Sequence, residues 1–151
     1  MPRKRPDRVR ETRVPYGVAE GAPVVVDTSA WIEYLRWSPH ALRPRVDVLM
    51  KAHQARLSWV AAGELLRGVR DAHELAAVEE LIGTVPILAE RPVLWGEAGR
   101  LSNRLRRAGH AVDLVDCYLG VLACEHGAGL LTGDRHFEAI AFDLKLVVEI
   151  L

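Results

Sequence analysis

Three consecutive valines, Val24, Val25 and Val26, restrict the fold of this 151-residue chain more than any other feature. A continuous run of β-branched residues predicts a strand that is buried on both faces, and such strands belong to parallel sheets covered by helices on either side. After the valines, short strand-like segments alternate with longer amphipathic segments. This alternation predicts an α/β fold, namely a three-layer α/β/α sandwich around a mostly parallel central sheet.

The segments between the predicted strands carry the apolar spacing and the end signals of helices. Leu94, Ala98, Leu101 and Leu105 repeat at spacings of four and three, and Gly109 follows them as a stop signal. Another helical segment is apolar nearly all round, which places it at the centre of the domain. Strands are predicted at 24–26, 56–59, 85–88, 129–132 and 146–150, and helices after residue 28 and at 40–54, 60–69, 71–82, 91–108, the central 113–126, and 134–140.

Length and composition predict one folded domain with an N-terminal extension. Half of the residues are apolar and about a quarter are charged, which is typical of a globular protein. Residues 1–22 contain three prolines and two glycines and are predicted to be a flexible basic extension, whereas residues 23–151 form the domain. No apolar run approaches the roughly 18 to 20 residues that cross a bilayer. Cys117 and Cys124 are about two helical turns apart, too far for a disulfide, which predicts a reduced, cytoplasmic protein.

Charge is distributed unevenly along the chain. Residues 1–13 carry a net charge of +4, and the remainder carries −4 because the whole chain is neutral. The basic extension is open to two interpretations, a phosphate-binding arm or a solvated tail. An acidic domain is unlike a general nucleic-acid binder, so action on nucleic acid requires a local positive charge such as a metal ion.

Four carboxylates lie where stability alone does not explain them. Asp27 ends the first predicted strand and Asp134 follows another, and the carboxyl ends of parallel strands meet at the edge of a sheet where ligands bind. Glu64 lies among core-like residues, and Asp116 lies within an apolar helix. Burying unpaired carboxylates costs several kcal/mol, so these side chains need cations, hydrogen bonds or a metal ion.

Most of these acids also have a purely structural interpretation. Asp27 and Asp134 can each cap the helix that follows it, and Asp113 is the expected N-cap of the central helix. Glu64 can pair with a nearby arginine. Asp116 has no such role, because it lies inside a helix among apolar residues. Taken together, the acids predict a site more strongly than any one of them does.

The chemistry of this acidic set points to a hard metal ion. Carboxylate and water ligands suit Mg²⁺ or Mn²⁺. Zinc would need histidines and cysteines at defined spacings, and the six histidines show no such arrangement. The chemistry expected of such an ion is in-line displacement at phosphorus, with an activated water as the nucleophile.

Four stretches of sequence resemble the motifs of the PIN-domain endoribonucleases, most closely the VapC-type toxins of bacterial toxin–antitoxin pairs. In order, they are VVVDTSAWIEYL, GELLRGV, VDCYLGVLACEHG and LLTGDRHFEAI, and the resemblance covers residues 23–151. It implies a metal site formed by the first, third and fourth family acids. Those metal ligands are Asp27, Asp116 and Asp134, and the catalytic set adds Glu64.

The same resemblance implies supporting residues around the acids. Thr28 and Ser29 match the hydroxyl pair after the first acid and are also expected to cap the first helix. Thr132 matches the hydroxyl before the last acid, and Asp113 is a further candidate near the metal. His136 stands where many relatives have another acid, which leaves open whether one or two ions bind.

The function that the resemblance implies is cleavage of single-stranded RNA with Mg²⁺ or Mn²⁺. It also implies a cognate antitoxin that covers the toxin and plugs its site, and a homodimer. Arg100, Arg104 and Arg107 lie beside the apolar stripe of the predicted helix 91–108, where they form either an RNA-phosphate track or an ordinary solvated face.

Other functions are compatible with parts of the pattern. A PIN-like module that only binds a partner and an RNA- or DNA-processing nuclease outside toxin–antitoxin systems are the main alternatives. A phosphoaspartyl enzyme of the haloacid-dehalogenase kind would need a second Asp where Ser29 stands. A response-regulator receiver would need a lysine that Lys145 is poorly placed to supply.

Overall fold

The computed structural model describes residues 21–151, so nearly all of the predicted N-terminal extension lies outside the described residues. No helix of this part is long and apolar enough to cross a membrane. Strands and helices alternate along it, with the following bounds: β1 (Val24–Val26), α1 (Thr28–Leu35), α2 (Leu42–Lys51), β2 (Ala55–Arg56), α3 (Trp59–Gly68), α4 (Ala72–Thr84), α5 (Leu94–Arg107), α6 (Leu114–Glu125), β3 (Gly129–Thr132), α7 (Phe137–Leu144) and β4 (Val148–Ile150).

The strands form one sheet in the order β2–β1–β3–β4, and every pairing in it is parallel. In β1, Val25 lies opposite Arg56 of β2 on one side and Leu130 of β3 on the other. In β3, Leu131 lies opposite Glu149 of the edge strand β4. Because the strands are parallel, their carboxyl ends lie along one edge, as the sequence predicts.

Alternate residues of β1 enter two hydrophobic cores on opposite faces of the sheet. Val24 and Val26 belong to the core beneath α1 to α4, which includes the fully buried Trp31. Val25 belongs to the core beneath α5 to α7, which includes Leu122. Helices therefore cover both faces, and the predicted three-layer α/β/α sandwich is confirmed.

The strand predicted at 56–59 is wrong in extent, because a helix begins earlier than expected. Ser58 caps α3, and its hydroxyl oxygen accepts a hydrogen bond from the Ala61 amide at 3.1 Å. Trp59 is therefore the first residue of α3, and β2 ends at Arg56. A capping serine with a strong local hydrogen bond prevails over the strand propensity of the residues around it.

Two other predicted elements also differ in extent. The segment 85–88 makes only a single parallel bridge, between Leu57 and Ile87, and is not a full strand. The helix predicted at 134–140 begins at Phe137, because the residues before it form a hydrogen-bonded turn at the candidate site. The remaining helices and strands begin and end within about three residues of their predicted bounds.

Helices α6 and α7 approach each other closely at Gly120. A Cβ atom built at this position would lie 2.5 Å from Ile140 Cγ2 and 3.2 Å from Leu144 Cδ1. Ile140 is fully buried, so it has little freedom to move aside. The absence of a side chain at Gly120 is therefore what lets α7 pack against α6.

Candidate active site

Asp27 is the most buried of the predicted acids, with 8 % of its surface exposed. It occupies the N-cap position of α1, but its side chain makes no capping hydrogen bond. Instead, the Thr132 hydroxyl donates to Asp27 Oδ2 at 2.9 Å, and the Ser29 hydroxyl donates to the same oxygen at 3.0 Å. The prediction that Thr28 or Ser29 caps α1 is wrong, because both lie within its first turn.

The turn after β3 determines where the two hydroxyl protons point. The Gly133 amide donates to Ser29 Oγ at 3.0 Å, and the Asp134 amide donates to Thr132 Oγ1 at 3.0 Å. Since each hydroxyl oxygen accepts a backbone N–H, its own proton is available for Asp27. Burial raises the pKa of Asp27, and the two hydroxyl hydrogen bonds offset part of that rise.

Glu64 joins the site from a different helix. The Thr28 hydroxyl at the start of α1 donates to Glu64 Oε2, which links α1 to α3. Unlike Asp27, Glu64 is exposed, and its negative charge contributes to the raised pKa of both Asp27 and Asp116. The core-like neighbours of Glu64 in the sequence left a solvent-facing side chain open, and the structure shows that it is exposed.

Helix α6 begins with two acids in different roles. Asp113 is its N-cap, as predicted, and Asp113 Oδ1 accepts a hydrogen bond from the Val115 amide at 2.8 Å. Asp116 lies in the first turn and is half-buried, and the next residue, Cys117, is fully buried. The carboxylate of Asp116 is therefore held at the edge of the core without a capping function.

Asp116 is the acid whose pKa burial and the other acids of the site raise. Burial raises the pKa of Asp116 from 3.8 to about 7, and the negative charges of Asp27, Asp134, Asp113 and Glu64 contribute to this rise in that order. Repulsion of this kind requires carboxylates that are close together in a partly desolvated place. Asp27, Asp134, Asp113 and Glu64 therefore lie near enough to Asp116 for their charges to act on its pKa.

Asp134 stands at the end of β3 and closes the turn that leads into α7. Its Oδ1 accepts a hydrogen bond from the His136 amide at 2.8 Å and lies 3.0 Å from His136 Nδ1. The N-cap position of α7 belongs to His136, so the alternative reading of Asp134 as that cap is wrong. The histidine that replaces the family's additional acid thus faces Asp134 directly.

Gly133 and the backbone amides around it belong to the site, although the sequence analysis did not include them. A Cβ atom at Gly133 would lie 3.0 Å from Leu42 Cδ1 and 3.6 Å from Ser29 Oγ. A larger residue would therefore press against Leu42 and come into van der Waals contact with the hydroxyl that contacts Asp27. The glycine between Thr132 and Asp134 was the available sequence signal, but backbone donors leave no further trace in a sequence.

The three predicted RNA-binding arginines lie on α5, but they do not share one environment. Arg104 Nη2 pairs with Asp143 Oδ1 of α7 at 2.7 Å. Arg100 and Arg107 are exposed and form no salt bridge within residues 21–151. A continuous track formed by all three stays a prediction.

The donor set fits a hard divalent ion in its chemistry. The gathered side chains offer carboxylate oxygens, which Mg²⁺ and Mn²⁺ prefer. The repulsion that raises the pKa of Asp116 is the kind that a bound cation relieves. Across residues 21–151 no three acidic, histidine or cysteine side chains already stand together as a metal-ion site. Asp116 and Asp134 are half-exposed, so their carboxylates are open to an ion from solvent.

The raised pKa of Asp116 makes stability depend on pH. Between about pH 4 and pH 7 the folded protein keeps a proton on Asp116 that the unfolded chain releases, since the unperturbed value is 3.8. Without divalent metal, we expect the free energy of unfolding to fall by about 1–2 kcal/mol as the pH rises from 4 to 8. This change in the free energy of unfolding is smaller than the full pKa shift would give, because solvent reaches the half-exposed carboxyl and weakens its interactions.

Urea unfolding in EDTA at pH 5.5 and pH 8, with Asp116→Asn as the comparison, measures this effect. The variant has no titrating group at this position. The difference in stability between the variant and the parent chain, in favour of the variant, should therefore be larger at pH 8 than at pH 5.5. A gap between the two proteins that is the same at both pH values would contradict the expected linkage.

Comparison with known proteins identifies the family of the chain. The family model described as PIN domain matches residues 24–143, which include all of the acids discussed above. The chain belongs to the PIN-domain family. Among curated relatives, this PIN domain is 31% identical over 122 residues to the VapC ribonuclease Mb1587 of Mycobacterium bovis, an alignment that covers 78% of this chain and 91% of that protein. It is also 31% identical over 114 residues to ribonuclease VapC19 of Mycobacterium tuberculosis, with 75% of this chain and 90% of that protein covered.

Solved structures show the same PIN fold at lower sequence identity. One is a chain in the structure of VapBC2 from Rickettsia felis bound to a promoter DNA fragment. It superposes with a TM-score of 0.70 at 16% sequence identity. The superposition covers 85% of this PIN domain chain and 98% of that chain. The chain in DNA-bound VapBC from Salmonella typhimurium also gives a TM-score of 0.70, at 22% identity, and covers 85% and 98% respectively. These likenesses confirm the fold.

Proposed function

We propose that this PIN domain is a divalent-metal-dependent endoribonuclease that cleaves single-stranded RNA as the toxin of a type II toxin–antitoxin pair. The observation that carries the proposal is the gathering of carboxylates around Asp116 at the carboxyl edge of a parallel sheet. The VapC ribonucleases among its relatives and the VapBC structures among its fold neighbours support the same function. A cytoplasmic location and a homodimer are expected with it.

In this function the carboxylates of Asp27, Asp116 and Asp134 would hold Mg²⁺ or Mn²⁺. The ion supplies positive charge that activates water and offsets the charge developing on the scissile phosphate. Asp116 holds its proton up to about pH 7, so it releases that proton when it takes up its role as a ligand. Occupancy of the site should therefore increase from pH 6 to pH 8.

The other residues orient this set and move protons. Ser29 and Thr132 hold one oxygen of Asp27 and so restrict how its carboxylate turns. Glu64 is exposed and is steadied by the Thr28 hydroxyl, so it is the acid placed to accept a proton from the attacking water. Oriented groups of this kind lower the barrier because they need no rearrangement during the reaction.

A groove beside Glu64 supports an antitoxin as the protein partner. It lies between α1, α3 and α4, has a volume of about 250 Å³ and carries Glu64 on its wall. An apolar antitoxin segment would bury its side chains there, and a basic residue of that segment would meet the acids and so block the site. The apolar lining consists of Ile32, Leu35, Leu65, Val69, Ala77 and Val78.

Cleavage of single-stranded RNA by the purified full chain tests the proposal. We expect cleavage with Mg²⁺ or Mn²⁺, none in EDTA, and recovery when excess Mn²⁺ is added back. Cleavage that persists in EDTA would overturn the metal requirement. A folded protein that captures its antitoxin but cuts nothing would identify a non-catalytic binding module, and a preference for structured RNA or for DNA would identify a processing nuclease.

Thr132→Val should reduce activity, because valine keeps the shape of the side chain but loses the hydroxyl. The change removes a hydrogen bond to Asp27 and leaves the Asp134 amide without its acceptor. We expect the free energy of unfolding to fall by about 1–3 kcal/mol and kcat to fall by roughly tenfold to a hundredfold. Thr132→Ser retains the hydroxyl and is the matched control. Equal kcat values for the two variants, measured with excess metal, would exclude this role for the hydroxyl.

A further inference from the structure

We propose that the groove between α5 and α7 binds the RNA strand next to the scissile bond, with Arg135 contacting a phosphate and Phe142 stacking on a base. This inference rests on the proposed ribonuclease function, because it requires RNA at the acidic site. It goes further by assigning a path for the strand and two residues that follow it.

The groove adjoins the acidic site. Its volume is about 660 Å³, and its walls come from the end of α5, the loop before α6 and one face of α7. His136 lines the groove and lies 3.0 Å from Asp134 through its Nδ1 atom. Val112 lines it from the other side and directly precedes Asp113. When the scissile phosphate of an RNA strand lies at the acids, the nucleotides on one side of that phosphate therefore lie in this groove.

The charge around the groove suits a polyanion better than the rest of the surface does. Residues 21–151 carry a net charge of −3, whereas two arginines and two histidines line this groove against two acids. One of those acids, Asp143, is already paired with Arg104. The other is Glu138. The basic residues that line it are Arg104, His110, Arg135 and His136.

Arg135 is the cation most available to a phosphate here. It directly follows Asp134, is exposed, and forms no salt bridge within the described residues 21–151. A free guanidinium next to an acidic site would otherwise be expected to pair with one of its carboxylates. A phosphate on the strand beside the scissile bond gives it a partner of the right charge and geometry.

Phe142 is the observation that points to a base. Its surface is 89 % exposed, although phenylalanine is normally buried, and it lines the same groove as Arg135 and Ala139. Phe142 is six positions after His136, and six positions correspond to a rise of about 9 Å along a helix. Exposed aromatic rings beside basic residues are how single-stranded nucleic acids are held without duplex structure. One ring on a charged wall is poorly suited to an apolar protein segment.

Binding of a fluorescent single-stranded RNA to the full chain tests the path. An Asp116→Asn background suppresses cleavage in every protein compared, and affinity is measured at several salt concentrations with fixed Mg²⁺. Arg135→Gln should weaken binding several-fold at low salt and reduce the slope of log K against log salt by about 0.7, the value for one phosphate contact. Lys51→Gln makes the same charge change at the last residue of α2, which does not line this groove, and should alter neither quantity.

Phe142→Ala should weaken binding about tenfold without changing the salt slope, since stacking involves no ion release. Trp37→Ala removes an aromatic ring that is also highly exposed, beyond the far end of α1, and is the matched control. Unchanged affinity for both groove variants, with circular dichroism showing that they are folded, would overturn the inference. So would variants that lose antitoxin binding while RNA binding stays unchanged, because the groove would then serve a protein partner.

The proposed function and this inference fail in different experiments. If the parent chain cleaves no RNA but the groove variants still weaken RNA binding, the nuclease assignment fails and the RNA path stands. The opposite outcome requires the two groove variants in a background with Asp116 intact. If the parent chain cleaves RNA, and Arg135→Gln and Phe142→Ala cleave subsaturating RNA as fast as the parent chain does, the RNA path is wrong and the nuclease function stands.

Discussion

Asp116→Asn is expected to lower the kcat of RNA cleavage by roughly a thousandfold, because it removes the charge of the acid whose pKa burial and the other acids raise. Asparagine has nearly the same size but carries no charge, so it is a much weaker ligand for a hard ion. The same change removes repulsion and should stabilise the metal-free protein at pH 8. A protein that is more stable and yet inactive separates a catalytic defect from a folding defect.

Single-turnover cleavage with saturating metal measures this loss. Asp47→Asn is the matched control, since Asp47 lies on α2 as the i,i+4 partner of Lys51, away from the acidic edge. Its activity should equal that of the parent chain. Full activity of Asp116→Asn, or an equal loss in both variants, would mean that Asp116 is not part of the catalytic set.

Gly120→Val is expected to lower the free energy of unfolding by about 3 kcal/mol. The new side chain would occupy space that Ile140 Cγ2 already fills, since even a Cβ atom would lie 2.5 Å from it. The loss should appear despite the higher helix propensity of valine, which favours the variant by a few tenths of a kcal/mol. Urea unfolding at a fixed pH gives the difference directly.

Two further variants isolate the cause of this loss. Gly99→Ala adds a methyl group to α5 where no atom lies within 4 Å, and it should stabilise the protein by about 0.5–1 kcal/mol. Ile140→Ala removes the crowded group, so combining it with Gly120→Val should cost less than the sum of the two single changes. Strict additivity in this cycle would show that the helices do not clash at this contact.

The architecture was predictable from the sequence because its main determinants are local. The valines of β1 specify a strand buried on both faces, and the spacing from Leu94 to Leu105 specifies the apolar face of α5. Asp113 caps α6 as expected, because capping depends on a residue and the amides just after it. The type of most elements follows from such short-range patterns, and the alternation of strands with helices predicted that the sheet is mostly parallel.

The roles of the hydroxyls were not predictable, because they depend on contacts between distant segments. Ser29 and Thr28 look like helix caps in the sequence, yet their partners Thr132 and Glu64 lie 103 and 36 residues away. Only the packing of β1 beside β3 and of α1 beside α3 brings them together. The same holds for His136, whose contact with Asp134 depends on the turn between β3 and α7.

The hydrogen bond between Thr132 and Asp27 spans 105 residues of sequence, which affects when the molecule becomes active. During synthesis the amino-terminal part emerges first, so β1 and its acid leave the ribosome long before β3 and its turn. Until then Asp27 has no Thr132 hydroxyl, and Asp116 and Asp134 are not yet in place. The acidic set of the proposed nuclease is therefore incomplete until Asp134 has been synthesised and β3 has paired with β1.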